Sequence, residues 1–334
     1  MLNLRTQVRE ISYSEAEKET LISLLEHDDV MLMGQGINDE GDAMFGVTSG
    51  LARRFGKERI LDTPLAETGL TGVAIGTAMT GIKVLYMHNR PDFLMLAMDQ
   101  IINHASKYSY MSAGKISVPL VIWAVTGQGW GAAAQHSQSV QGIFMNVPGL
   151  KIVMPTSPYD AKGLLRSAME EHGPVLFLEH RRLLDQKGMV PEDDYSIPLG
   201  KGIVRKSGAD VTIIAISAMI IDAMEAAKEL EKDNISVEIV DLRTIKPYDK
   251  QLLKASVSKT KRVVIADTSW ITGSVAKEIS DYIYGEMFGL LKSKIEIVAL
   301  PDVPTPASYV LEEAYYPNKD SISAAVRKVM EGKR

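Results

Sequence analysis

The chain has no cysteine, which excludes disulfides, zinc–thiolate sites and a cysteine nucleophile, and fits a reducing cytoplasm. No stretch approaches the ~20 apolar residues that a membrane span needs. Met1 to Thr20 mixes charges with isolated apolar residues and lacks the apolar core of a signal peptide. A soluble, cytoplasmic protein is the expectation. A basic excess is missing too: the net charge is -5 and Lys and Arg are dispersed, which argues against a nucleic-acid footprint. The longest basic cluster, Lys259-Thr260-Lys261-Arg262, reads as a solvated turn before a strand.

What is present is ordinary globular composition, 46% hydrophobic and 24% charged over 334 residues. At roughly 100 to 200 residues per domain, that length predicts two domains, each able to bury its own core. Short Val- and Ile-rich runs alternate with helix-period segments, the pattern of parallel sheets with helices on their faces. In the first half the runs are Asp29 to Met33, Lys83 to Met87, Val118 to Val125, Lys151 to Met154 and Val175 to Leu178. Helices are expected over Thr71 to Thr80, Phe93 to Met111, Ser139 to Asn146 and Pro158 to Glu171, the last capped by Ser157 with proline in its first turn. A polar, proline-bearing passage from Gln186 to Gly202 interrupts the alternation. A second α/β set follows: strands Val211 to Ser217, Ser236 to Asp241, Arg262 to Asp267 and Lys294 to Leu300, with helices Ala218 to Lys232 and Ser274 to Phe288. The division expected is a first domain over 1–190, a linker over 191–204 and a second domain over 205–334.

Three segments invite chemistry. Thr126-Gly127-Gln128-Gly129-Trp130-Gly131 follows a strand, but a dinucleotide fingerprint needs an acid at the end of the next strand, and that strand ends Met154-Pro155-Thr156. Gly34-Gln35-Gly36 is followed by Asp39 and Glu40, which would repel a phosphate, and no Walker sequence exists. These glycines suit an active-site loop. Glu67, in Asp62-Thr63-Pro64-Leu65-Ala66-Glu67-Thr68-Gly69, stands where extended chain hands over to an apolar, Gly- and Ala-rich helix. A carboxylate there is costly to bury without a donor or a proton, or it is simply an acid favoured by a helix N-terminus. His136, within Ala133-Ala134-Gln135-His136-Ser137-Gln138, follows the glycine loop just before an expected helix; small neighbours leave room for a ligand, and its side chain suits proton transfer near neutrality. A structural role stays open for both residues.

With these segments in view, the chain resembles the β subunit of the thiamine-diphosphate-dependent decarboxylase component of the pyruvate, branched-chain and acetoin dehydrogenases. The resemblance runs nearly full length, on DTPLAETGLTGVAIGTAMTG (62–81), DFLMLAMDQIIN (92–103), ASKYSYM (105–111), AAQHSQS (133–139), VPGLKIVMPTSPYDAKGLL (147–165) and VEIVDLRTIKPYD (237–249). It implies a pyrimidine-binding domain followed by a transketolase C-terminal-like domain. It implies that Glu67 contacts the aminopyrimidine of thiamine diphosphate, favouring the imino tautomer that removes the thiazolium proton, that Phe93 packs on that ring, and that His136 is a proton donor to the oxo acid.

The resemblance also assigns duties elsewhere. Thiamine enzymes hold Mg²⁺ and the diphosphate through a Gly-Asp-Gly segment, which this sequence lacks, so an α-like subunit is expected to carry both within an α₂β₂ heterotetramer. A lipoyl acyltransferase core is a further possible partner. A backbone K⁺ site near Leu120, Ala168, Met169, Glu171 and Gly173 is implied by some relatives. The chain departs from many relatives over Leu85-Tyr86-Met87-His88-Asn89-Arg90-Pro91-Asp92, where Asn89 and Arg90 are candidates for reading an anionic or hydroxylated substrate, or else shape an altered loop or contact. Asp267 to Ser274 also departs, where relatives tend to carry a glutamate and a double glycine. Two alternatives stay open: a split transketolase-like or carboligating subunit, and a non-catalytic scaffolding or nucleotide-binding α/β protein.

Overall fold

The computed structural model describes residues 7–38, 45–129 and 131–332. Its strands are β1 (Val8–Ser12), β2 (Val30–Gly34), β3 (Ile60–Asp62), β4 (Lys83–His88), β5 (Leu120–Thr126), β6 (Lys151–Val153), β7 (Val175–His180) and β8 (Lys187–Pro191). They continue with β9 (Ile203–Lys206), β10 (Val211–Ala215), β11 (Val237–Asp241), β12 (Thr244–Lys246), β13 (Val263–Trp270) and β14 (Glu296–Leu300). The α-helices are α1 (Tyr13–His27), α2 (Leu51–Phe55), α3 (Glu67–Met79), α4 (Tyr108–Met111), α5 (Gln141–Phe144) and α6 (Pro158–Met169). Beyond them lie α7 (Met219–Leu230), α8 (Lys250–Thr260), α9 (Val275–Met287), α10 (Tyr309–Tyr315) and α11 (Lys319–Glu331).

The chain divides into two compact units, one of residues 1–126 and 147–199, the other of 127–146 and 200–334. The segment 127–146, which the expected division keeps with the first stretch of chain, makes its contacts in the second unit. The physical reason is a set of side-chain anchors from the second unit, detailed below.

In the first unit the order β6-β7-β5-β4-β2-β3 is parallel throughout, with His88 paired to Ala124 and Thr126 to His180. β4, β5 and β7 are buried along most of their length, as the unbroken apolar runs require. Helix α6 opens as expected, with the Ser157 hydroxyl accepting from the Asp160 N–H and proline in the first turn. Helix α1, which the sequence reading overlooked, starts with a reciprocal capping box between Ser12 and Glu15. Two other expectations change. The helix foreseen over Phe93 to Met111 is broken into a 3₁₀ turn (Pro91–Ala97), a π-helical stretch (Gln100–Ala105) and α4. The passage foreseen as linker from Gln186 begins with β8, which pairs antiparallel with β1.

The second unit has a five-stranded sheet in the order β14-β13-β10-β11-β9, parallel except for β9. Strand alternation sorts its two faces. Val211, Ile213 and Ala215 join α7 and α11 residues such as Ala223, Ala227, Ile322 and Val326 in one apolar core. Thr212 points the other way, its hydroxyl 2.8 Å from that of Ser256 and 2.7 Å from that of Thr260 on α8. Each fully buried Val or Ile stabilises such a core by roughly 1.5–3 kcal/mol.

Candidate active site

In the first unit the C-terminal ends of β2, β4, β5 and β7 lie side by side, the edge at which parallel α/β sheets usually bind ligands. The connection from β3 to α3 is built around Asp62, whose carboxylate accepts from the Gly36 N–H (2.7 Å) and the Asn38 side-chain amide (2.8 Å). The Thr63 N–H donates to the Gly34 carbonyl at 2.9 Å. Gly34 must be glycine because a Cβ there would stand 2.8 Å from the Met87 Cβ. Glu67 is the first residue of α3, and Ala66 before it offers no side-chain cap. Glu67 is only 8% exposed, and the Gln35 amide approaches its carboxyl at 3.4 Å.

Beneath α3, Tyr86 and His88 share one face of β4, their ring centroids 4.3 Å apart. Burial pushes the Tyr86 phenol up to about 12, the Glu67 charge adds to the rise, and the Thr63 hydroxyl opposes it. Burial pushes His88 down to about 3, so the ring is neutral. Its Nε2 lies 3.4 Å from the Thr71 hydroxyl, one turn along α3 from Glu67, while its Nδ1 is buried without a hydrogen-bond partner.

Arg90 is extended, as a residue before proline must be, and starts the 3₁₀ turn carrying Phe93. Phe93 is half-buried, and the Thr68 hydroxyl, donating to the Leu96 carbonyl at 2.5 Å, ties this turn to α3. Asn89 is exposed; Arg90 is buried with its Nε 3.9 Å from Asp92. At the end of β7, Glu179 has a buried carboxylate with no hydrogen-bond partner. His180 beside it is pushed down to about 3 by burial first and by the Arg182 and Arg90 charges after it.

His136 belongs to the second unit, exposed on an irregular segment. The helix expected just after it begins only at Gln141 and is a single turn. The residues expected around K⁺ fall together in the first unit: Leu120 opens β5, Ala168 and Met169 end α6, and Glu171 and Gly173 lie in the turn to β7. That turn is fastened to the approach to β5 by the Val118 N–H donating to the His172 carbonyl at 2.9 Å, and the Glu171 carboxylate pairs with Lys151. Among the described residues no group of three or more His, Cys, Asp or Glu is arranged to hold a metal ion.

Glu67, Phe93, Asn89 and Arg90 are therefore on neighbouring elements of one unit. Sequence reasoning passed over Gln35, Tyr86, Glu179 and His180. A signal existed for Tyr86 and His88, polar residues two apart at the end of an apolar strand run, which places both on one face. None existed for Glu179, which only burial distinguishes.

Two α/β units in this order define a transketolase-type chain. Residues 9–187 match the transketolase pyrimidine binding domain and 200–322 the transketolase C-terminal domain. The chain belongs to the thiamine-diphosphate-dependent family of β subunits that includes acetoin oxidoreductases and 2-oxo acid dehydrogenases. It is 40% identical over 334 residues to the acetoin:2,6-dichlorophenolindophenol oxidoreductase subunit beta of Cupriavidus necator, covering 99% of this chain and 98% of that one. It is 41% identical over 324 residues to the 2-oxoisovalerate dehydrogenase subunit beta of Bacillus subtilis (96% and 99% covered). It is 38% identical over 321 residues to the pyruvate dehydrogenase E1 component subunit beta of Rickettsia felis (96% and 98% covered). Among solved structures, a split-gene transketolase described as an inactive β4 tetramer superposes with a TM-score of 0.78 at 24% identity, covering 97% of this chain and 99% of that one, which speaks for the fold.

Proposed function

We propose that this chain is the β subunit of a thiamine-diphosphate-dependent enzyme that decarboxylates a 2-oxo acid and passes the acyl unit to a lipoyl group or another acceptor. The observation that carries this reading is Glu67, a buried carboxyl opening an apolar helix within a chain about 40% identical, end to end, to such subunits. The chemistry of these side chains fits a flat, weakly basic ring. Glu67 supplies a carboxyl with little competition from water, the Gln35 amide approaches it, and Phe93 offers a half-buried aromatic face. When bound, thiamine diphosphate supplies the carbon nucleophile that attacks the oxo group.

In this reading Glu67 holds a proton at the ring nitrogen it faces, and its low exposure keeps that proton from exchanging with solvent. Phe93 orients the ring by stacking. His136 donates a proton to the oxygen of the oxo acid as charge develops there. Asn89, at the surface, and Arg90, behind it with Asp92, set the size and charge of the acid accepted.

Mg²⁺ and the diphosphate are assigned to an α-like partner with a Gly-Asp-Gly segment, in an α₂β₂ assembly. A lipoyl acyltransferase core is the acceptor's carrier if the acceptor is lipoyl. K⁺ is assigned to carbonyls of the turn at Leu120, Ala168, Met169, Glu171 and Gly173. The setting is the cytoplasm.

Mixing the chain with such a partner, thiamine diphosphate and Mg²⁺ is expected to release CO₂ from a 2-oxo acid when an electron acceptor is present, with neither chain active alone. Thiamine diphosphate binding without turnover of any 2-oxo acid would reject the decarboxylase reading. Condensation of the same acids with aldehydes would replace it by the carboligating one.

A further inference from the structure

The segment 127–146 packs with the second unit through anchors placed on both sides of His136. On one side the Gly129 N–H donates to the Glu312 carboxylate of α10 at 2.8 Å. On the other, the Gln141 side-chain amide, fully buried, donates to Asp267 Oδ1 at 2.9 Å and to the Thr268 hydroxyl at 3.2 Å. Lys246 donates to the Met145 carbonyl at 2.6 Å, and a Cβ on Gly142 would meet the Gly273 carbonyl oxygen at 2.6 Å, so the backbones touch. Among the described residues between Gly129 and Met145 the regular structure is a single-turn helix, and Ala133 sits at a φ of 57°.

Asp267 is the centre of the grip. It is fully buried within β13, and its carboxylate also accepts from the Ser269 N–H (3.1 Å) and from the Ala276 N–H in the first turn of α9 (3.2 Å). The donors from β13, α9 and α5 are all neutral, so no positive charge offsets the carboxylate, and three to four hydrogen bonds carry that duty. A buried carboxylate matched this way is rigid, because every displacement leaves a charge unpaired.

We propose that Asp267, acting through Gln141, is a positioning residue that holds the His136 loop in its working geometry. The proposal rests on the catalytic reading of His136 given above. Asp267 and Gln141 touch no reacting group in this assignment; they set where the histidine stands.

The test uses the full chain assembled with its α-like partner, thiamine diphosphate and Mg²⁺. Replacing Gln141→Leu keeps the bulk and removes the donor. Amide hydrogen exchange over 131–140 is expected to quicken, and kcat to fall roughly tenfold or more, the scale of a slightly misplaced catalytic group. The apparent affinity for thiamine diphosphate should stay within about twofold, since Glu67 and Phe93 are on other elements. Gln141→Glu supplies a readout that a packing role would not give. It sets two carboxyls against each other, so its kcat relative to the parent should rise as pH falls and one proton is shared. Unchanged exchange over 131–140 in Gln141→Leu, or a pH-independent ratio for Gln141→Glu, overturns the proposal. Faster exchange in an assembly that turns over no 2-oxo acid would leave the tether standing and reject the functional reading.

Discussion

The two units share an architecture and differ in how they treat the buried carboxylates on their strands. In the first, the strand ends carry the Glu179 carboxylate and His88 Nδ1, both without a hydrogen-bond partner. In the second, the buried aspartates of β11 and β13 are matched. Asp241 pairs with Arg205 and accepts from the Arg243 N–H, and Asp267 has Gln141, Ser269 and Ala276. An unmatched buried polar group costs about 1–3 kcal/mol, which a fold tolerates where a ligand completes it. At these carboxylates the first unit leaves a group for a ligand to complete, and the second fixes its own chain.

The largest expected effect separates these duties. Glu67→Gln should lower turnover of the assembled enzyme by roughly 10²–10⁴-fold, the usual contribution of a placed proton-transfer group, while leaving the melting transition near that of the parent. A variant that decarboxylates as fast as the parent would remove the glutamate from the mechanism. In the second unit the expected loss is of stability. Ile213→Ala, in the core between the sheet and helices α7 and α11, should cost about 2–5 kcal/mol in urea unfolding, read from probes in that unit. Arg90→Ala comes next: it should change the ratio of kcat/KM between short apolar and larger anionic 2-oxo acids by about tenfold or more, the loss of a charge-assisted contact. Unchanged selectivity would mean that Arg90 serves only Asp92 and the fold.

How much of this could be read from the sequence depends on how local the cause was. The parallel strands were legible, since Leu85 to Met87 and Val121 to Val125 are apolar on both faces and only a doubly covered sheet accommodates that. Helix α6 was legible from Ser157 and Pro158. Helix α1 was not, because its buried face includes Glu17 and Thr20 among leucines and blurs the periodicity. The break at Pro91 to Ala105 was missed because a continuous apolar period cannot distinguish α, 3₁₀ and π hydrogen bonding. For the site, Glu67 and His136 stood out through motif and neighbours, whereas Gln141 and Asp267 are brought together from 126 positions apart by the fold alone.

Acidification offers the subtlest contrast. His88 and His180 are buried in the first unit, their folded values pushed down to about 3 from an ordinary 6.5, chiefly by burial. The unfolded chain then binds more protons than the folded one between those values, so stability falls as pH drops through about 6.5 and goes on falling toward 3. Each should cost about 1.4 kcal/mol between roughly pH 7.5 and 5.5. The second unit has one histidine, His136, which is exposed, and its buried Asp267 is shifted the other way, raised by burial against several hydrogen bonds. There the folded state binds the extra proton, so lowering the pH toward its titration range relieves a cost. Amide exchange at pH 5.5 should therefore quicken across β4, β5 and β7 and leave β10, β11 and β13 protected. His88→Gln should reduce that difference, having no proton to gain on unfolding; equal loss of protection in both sheets would show that the buried histidines do not set the acid response.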